Sequence, residues 1–149
     1  DTARFTLRAD SNAVVRLRVE QRPANVALRL LGPKKSVVRA VNGSISGSEE
    51  LQVVTTEAGE YQLQVTAADS TGGAFAVTLL ANERLSTDPR RLTDQLLAPW
   101  DRRDGPGAAV AVWRGGRTLF AKAYGVANLA YDIPFTVGTP TNIGSTSKQ

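Results

Sequence analysis

The sequence predicts a mainly β protein, in which an antiparallel β-sandwich of jelly-roll type is followed by a helix–hairpin–helix segment. Between Phe5 and Leu80 apolar and polar residues alternate, which is the period of a half-buried strand. Loops rich in Gly, Ser and Asp interrupt this pattern at 42–50 and 68–73. Near Asn82 the alternation ends. We therefore predict two domains, at residues 1–84 and 88–149.

The alternating runs predict seven or eight short strands without helical periodicity. Gly32 to Lys35 break the pattern, as residues of a turn do. The apolar positions that share a face in the first three runs are Phe5 and Leu7; Val15, Leu17 and Val19; and Val26, Leu28 and Leu30. Further runs occupy 37–41, 51–53, 61–65 and 75–79. Short, regularly spaced strands of this kind are typical of an antiparallel sandwich.

The second segment begins with a helix signal. Ser86, Thr87 and Asp88 are N-cap candidates, and Pro89 suits the first helical position. Leu92, Leu96 and Leu97 form a short apolar stripe, and the helix should end before Pro99.

A hairpin is predicted after this helix. The runs 108–113 and 118–124 are apolar, and Gly115 and Gly116 lie between them. Two glycines suit a type I′ turn, which needs positive φ at both positions. Because residues 109–112 are apolar on both faces, we expect an exposed apolar face and self-association through this incomplete sheet.

Composition excludes several classes of protein. The chain has no His and no Cys, so a Ser-His-Asp triad, a catalytic thiol, a disulfide framework and the usual zinc sites are excluded. No apolar run approaches the roughly 18 residues of a membrane span. The net charge is +4, but Arg16, Arg18 and Arg29 alternate with apolar residues, as on a solvated strand face. We therefore predict no nucleic-acid partner, no membrane span and no cofactor.

Ser145 and Lys148 are the candidate catalytic residues. Their spacing places a hydroxyl and an amine one helical turn apart. A lone Ser-x-x-Lys is weak evidence for a catalytic site, because an N-cap serine followed by a solvated lysine has the same spacing. Ser147 is the rival nucleophile, but it points to a different helix face and has no lysine three residues later.

The surrounding motifs strengthen this hypothesis. A helix, a Gly-Gly hairpin, the sequence Tyr124-Gly125-Val126-Ala127-Asn128-Leu129 and then Pro140, Asn142, Ile143, Gly144, Ser145 and Lys148 follow in order. Over about residues 92–149 this resembles the start of the α/β serine β-lactamase and penicillin-binding-protein family, in its class C and esterase-like branch. The resemblance implies that Ser145 is the nucleophile. Lys148 would take or steady its proton if burial kept the pKa of the lysine low.

The chain departs from that family after Lys148. The family also needs a tyrosine or equivalent second motif, and a third motif on a strand that completes the oxyanion hole. Tyr124 and Tyr131 precede the nucleophile and match the hairpin and loop, so neither replaces that tyrosine. We therefore expect an enzyme cut after its first motif, inactive as it stands, whose parent acts on a β-lactam, a D-amino peptide or an ester.

The front domain carries a second resemblance. Residues 59–65 (GEYQLQV), 25–33 (NVALRLLGP) and 73–80 (GAFAVTLL) resemble the bacterial pre-peptidase C-terminal β-sandwiches. Such modules accompany exported enzymes, which implies a periplasmic or extracellular location. Some relatives bind calcium, but the acidic residues here are scattered, and we predict no metal. The alternative function for the chain is therefore a non-catalytic, secreted binding or structural module.

Overall fold

The computed structural model describes residues 1–148, except the side chain of Ser147. The prediction of a mainly β protein is confirmed, with one α-helix among the described residues. The chain divides into two compact units, one of residues 1–87 and one that begins at Asp88. No helix in the described part of the chain is long and apolar enough to cross a bilayer.

The first unit contains seven strands in two antiparallel sheets. The strands are β1 (Thr2–Ala9), β2 (Ala13–Arg22), β3 (Val26–Leu31), β4 (Val37–Val41), β5 (Gly47–Val54), β6 (Gly59–Ala67) and β7 (Ala74–Arg84). One sheet has the order β1-β6-β3-β4 and the other the order β5-β2-β7. Consecutive strands are therefore often not neighbours, and long-range pairing such as that of Thr2 with Thr66 defines the topology.

A single cluster of buried side chains joins the two sheets. Val15, Leu17 and Val19 of the central strand β2 are at most 3% exposed, because alternate residues of a strand point to the same face. Leu28 and Leu30 of β3 and Leu51, Tyr61, Leu63 and Val65 of β5 and β6 complete the centre of the cluster. The alternation seen in the sequence thus marks the side chains that are removed from water.

Two buried polar side chains fix loops at the margin of this core. The amide oxygen of Gln21 accepts a hydrogen bond from the backbone N–H of Val26 at 2.7 Å. The carboxylate of Glu49 accepts from the N–H groups of Gly43 and Ser44 at 2.8 and 2.6 Å. β5 begins at Gly47, which pairs with Gln21 of β2, so the loop expected at 42–50 is shorter than the sequence predicts.

The second unit contains a short helix, a hairpin and a long irregular tail. Its elements are α1 (Pro89–Leu97), a 3₁₀ turn (Ala98–Trp100), β8 (Ala108–Arg114), β9 (Arg117–Tyr124), β10 (Val126–Asn128), β11 (Ile133–Pro134) and a 3₁₀ helix (Gly144–Lys148). β8 pairs with β9 and β10 with β11, each pair forming a two-stranded sheet. The 3₁₀ turn includes Pro99, so the helical path continues slightly beyond the predicted end.

Candidate active site

The helix α1 starts where its N-cap is satisfied. The Asp88 carboxylate accepts hydrogen bonds from the N–H groups of Arg90 and Arg91 at 3.0 and 2.9 Å. Pro89 follows at a position where its missing N–H costs nothing. The cap therefore fixes the residue at which the helix leaves the preceding chain.

The β8–β9 hairpin turns at Gly115 and Gly116, whose φ angles are +57° and +72°. These values are the left-handed conformations that a type I′ turn requires. The bulged register makes Val112 the partner of Phe120 and Trp113 the partner of Thr118. Phe120 is buried and lies under the Arg90 guanidinium at 5.2 Å, whereas Trp113 and Leu119 are 66% and 52% exposed.

One carboxylate oxygen connects α1 to β9. Asp94 Oδ1 accepts from the Tyr124 hydroxyl at 2.7 Å and from the Lys122 ammonium at 2.5 Å. The hydrogen bond from Lys122, followed by that from Tyr124, lowers the pKa of Asp94. Burial first, and then Asp94, raise the pKa of Tyr124. The tyrosine hydroxyl is thus held in its protonated form as a structural donor.

Two glycines allow the chain to cross closely after the hairpin. Gly125 has φ +65°, and a Cβ there would lie 2.2 Å from the carbonyl oxygen of Trp100. A Cβ at Gly107 would lie 2.5 Å from the carbonyl oxygen of Tyr124. The Gly107 N–H donates to the Val126 carbonyl at 2.9 Å. The Tyr-Gly-Val motif therefore builds a tight crossing of backbone segments.

The loop after this crossing is held by polar side chains. Asn128 Oδ1 accepts from the N–H groups of Ala130 and Tyr131 at 3.0 and 3.2 Å. Arg103 binds the Asp132 carboxylate with both Nε, at 2.9 Å, and a terminal nitrogen. This ion pair lowers the pKa of Asp132. The sequence patterns did not reveal Asp94 or the Arg103–Asp132 pair, because their partners lie about thirty residues away.

Ser145 and Lys148 both lie in the 3₁₀ helix Gly144–Lys148. The Gly144 N–H donates to the side chain of Asn142 at 2.8 Å, and Gly144 has φ +54°, so the chain turns sharply into this helix. In a 3₁₀ helix, side chains three residues apart lie above one another. The two candidate residues therefore share one side of a single turn.

The surroundings of this pair differ from the hypothesis in one respect. Ser145 and Lys148 are both exposed, so the described residues do not supply the burial that the hypothesis requires of the lysine. The helix is also a five-residue 3₁₀ segment, whose aligned peptide dipoles give little support to a nucleophile. The side chain of Ser147, the rival nucleophile, lies outside the described residues, and so does the whole of Gln149.

Other candidate features of this unit lie away from the pair. A cavity of about 230 Å³ is lined by residues of the crossing, among them Asp101, Arg103, Gly125 and Pro134, and not by Ser145 or Lys148. Within residues 1–148, no three acidic side chains gather closely enough to hold a metal ion. The absence of a metal stays a prediction.

Comparison with protein-family models places part of the chain in a known family model. The protein-family model described as Beta-lactamase matches residues 89–149, which span α1, the hairpin and the Ser-x-x-Lys turn. No curated protein matches the chain. For this part of the chain the match supports the serine β-lactamase and penicillin-binding-protein-like family; residues 1–88 lie outside it.

Proposed function

We propose that residues 88–149 form the nucleophile-bearing start of a serine hydrolase that works through an acyl-enzyme. The observation that carries this proposal is the family match, which extends from α1 to a single helical turn holding Ser145 and Lys148. The two-sheet unit in front is an accessory β-sandwich under this proposal. The expected substrates are β-lactams, D-amino peptides or carboxylic esters, and the expected location is outside the cytoplasm.

The reaction assigns one role to each residue. Ser145 Oγ attacks the substrate carbonyl carbon while its proton passes to the Lys148 amine. The tetrahedral intermediate collapses, the leaving group takes a proton as it departs, and the acyl group stays on Ser145. Water then hydrolyses the ester and regenerates the serine. Donors for the carbonyl oxygen and a cover over Lys148 would come from residues beyond Gln149 in a longer protein.

An active-site-directed probe tests this proposal in the full-length protein. A fluorescent penicillin or a fluorophosphonate should label the protein covalently, and peptide mapping should place the label on Ser145. Ser145→Ala should abolish labelling, because no oxygen remains to be acylated. The 149-residue chain should stay unlabelled, since Ser145 and Lys148 are both exposed among the described residues.

Ser147→Ala is the matched control, because it removes a hydroxyl two residues away in the same turn. It should retain labelling to within about threefold, as expected for a residue outside the reaction. Labelling of the full-length protein that persists in Ser145→Ala, or that disappears only in Ser147→Ala, would contradict the assignment. A full-length protein that neither probe labels would remove the hydrolase proposal altogether.

A further inference from the structure

Among the described residues, each of the two sheets of the first unit ends in a strand whose outer edge pairs with no further strand. β1 is the terminal strand of the four-stranded sheet, and β7 is the terminal strand of the three-stranded sheet. The outer edge of such a strand presents N–H and C=O groups that another extended chain can use. On β1 the Arg8 carbonyl already accepts a hydrogen bond from the Asn82 side chain at 2.8 Å, so the edge available to another chain lies towards Thr2 from that residue. β1 contributes eight residues, Thr2–Ala9, which is long enough to hold a peptide strand of ordinary length.

An apolar groove lies between these two strands. It encloses about 300 Å³, and Leu17 and Leu63 of the core contribute to its lining. Phe5 and Leu7 line it from β1, and Phe75 and Leu79 line it from β7. The rings of Phe5 and Phe75 meet edge to face at 6.3 Å between centroids. Phe5 and Leu79 are 41% and 49% exposed, so the groove presents apolar surface to water.

The strand beside this groove is basic. Arg4 and Arg8 alternate with the groove-lining Phe5 and Leu7, so their side chains lie on the outer face of β1. Both arginines are exposed. Within the described residues, neither guanidinium takes part in an ion pair. Arg8 lies opposite Glu60 of β6, whereas Arg4 lies opposite the uncharged Gln64. The outer face of β1 and β6 therefore carries more positive than negative charge at this edge.

We propose that the outer edge of β1 binds an extended acidic peptide segment of a partner protein. A strand added to this edge would point every second side chain inward, into the groove, and the others outward, beside Arg4 and Arg8. The segment that fits therefore alternates apolar residues with Asp or Glu, because opposite charges on neighbouring strands stabilise the pair. This role is independent of the proposed hydrolase and belongs to the first unit alone.

The arginines distinguish this partner from two other occupants. A second copy of the chain that paired through β1 would bring its own Arg4 and Arg8 to the same edge, and like charges on paired strands are destabilising. An acyl chain would fill the groove, but it would use neither the strand edge nor the arginines. A peptide with alternating apolar and acidic residues uses the groove, the edge and the charges together.

The test uses a fluorescein-labelled eight-residue peptide that alternates Val and Glu. Fluorescence anisotropy should show saturable binding to the 149-residue chain, and the same peptide with Lys in place of Glu should bind at least tenfold more weakly. The double variant Arg4→Glu, Arg8→Glu should reverse this preference. Far-UV circular dichroism of the double variant should match that of the unaltered chain, which checks that its strands are intact.

Arg29→Glu is the matched control. Arg29 is an exposed arginine on the outer face of the same sheet, but it lies on the interior strand β3, where both edges are paired. Its substitution should leave the affinity for the Glu peptide within about threefold. An equal loss in Arg29→Glu and in the double variant would show general attraction to a basic surface and would overturn the edge site.

Hydrogen exchange provides the second measurement. Bound peptide should slow the exchange of amides in Thr2–Ala9, because outward N–H groups of β1 gain partners. The proposal is overturned if the peptide does not bind, or if binding leaves these amides unprotected. It is also overturned if decanoate displaces the peptide without protecting β1, or if sedimentation shows a dimer that the double variant abolishes.

Discussion

The two units of this chain differ in how many of their apolar side chains are buried. Among the described residues, the buried apolar side chains all belong to the first unit except Phe120, Tyr124 and Val126. Most of the large apolar side chains that stay exposed belong to the second, with Trp113 and Ile143 above half exposed. The first unit thus gains its stability from its own core, whereas the second leaves apolar surface that its described residues do not cover.

The same difference separates the polar interactions of the two units. In the first, Glu49 and Gln21 are buried and satisfied at the edge of a core that excludes water. In the second, the Asp94–Lys122 and Arg103–Asp132 pairs lie at the surface, where solvent screens them. The second unit therefore depends on interactions that are individually weak, and on close backbone contacts such as that of Gly125.

The largest expected effect comes from the core of the first unit. Leu63→Ala removes a fully buried side chain and should lower the free energy of unfolding by about 2–5 kcal/mol. Both tryptophans, Trp100 and Trp113, lie in the second unit. The loss of stability should therefore appear when unfolding is followed by far-UV circular dichroism of the strands, whereas the unfolding curve followed by tryptophan emission should change little.

Leu119→Ala is the matched control in the second unit, since Leu119 is 52% exposed. Its effect on the free energy of unfolding should stay within about 0.5 kcal/mol. A cost similar to that of Leu63→Ala would show that the hairpin is packed as tightly as the core, and the contrast between the units would disappear.

A smaller but local effect is expected at Gly125. An alanine there must adopt φ +65° and place its Cβ against the carbonyl oxygen of Trp100, so Gly125→Ala should destabilise the second unit by about 2–3 kcal/mol. Gly116→Ala is the control, because φ is also positive but no atom lies within 4 Å of the new Cβ. It should cost about 1 kcal/mol. Tryptophan emission during urea unfolding measures the stability of both variants. Equal losses of stability in Gly125→Ala and Gly116→Ala would show that the contact with the Trp100 carbonyl oxygen adds nothing to the cost.

The sequence predicted those features that local chemistry determines. Alternation identified the buried positions of β2, β3 and β6, and the two glycines located the hairpin turn, because strand periodicity and positive φ are properties of neighbouring residues. The pairing of β1 with β6 was not predicted, since it joins residues about sixty positions apart. The alternation of apolar and polar residues did not predict the start of β5 at 47–50. The buried position there is occupied by the polar Glu49, so the pattern of a strand is absent.

The candidate site divides in the same way. The Ser145–Lys148 spacing is visible in the sequence, and the chain between them forms one helical turn. The exposure of Lys148 could not be predicted from that spacing, because it depends on which segments pack over the turn. Asp94 was missed for a similar reason: its partners Lys122 and Tyr124 lie on another element, and a single aspartate in an amphipathic helix carries no distinguishing pattern.

The smallest expected effect concerns the surface polar network of the second unit. Asp94→Asn keeps an oxygen that can accept from Tyr124 but removes the charge that attracts Lys122, so we expect a loss of about 0.5–1 kcal/mol at pH 7, reduced by solvent screening. Because the folded-state pKa of Asp94 lies below 3.8, the charge stabilises the fold above that pH and ceases to do so as the pH falls through the folded value.

The difference in unfolding free energy between the wild type and Asp94→Asn should therefore shrink as the pH falls through the lowered folded-state pKa of Asp94, as followed by tryptophan emission. Asp104→Asn is the control, because Asp104 is 82% exposed and its pair with Arg102 has a longer N–O distance of 3.2 Å. It should change the stability less at pH 7. A difference for Asp94→Asn that stayed constant after Asp94 itself had been protonated would mean that hydrogen-bond geometry, and not charge, connects α1 to the hairpin.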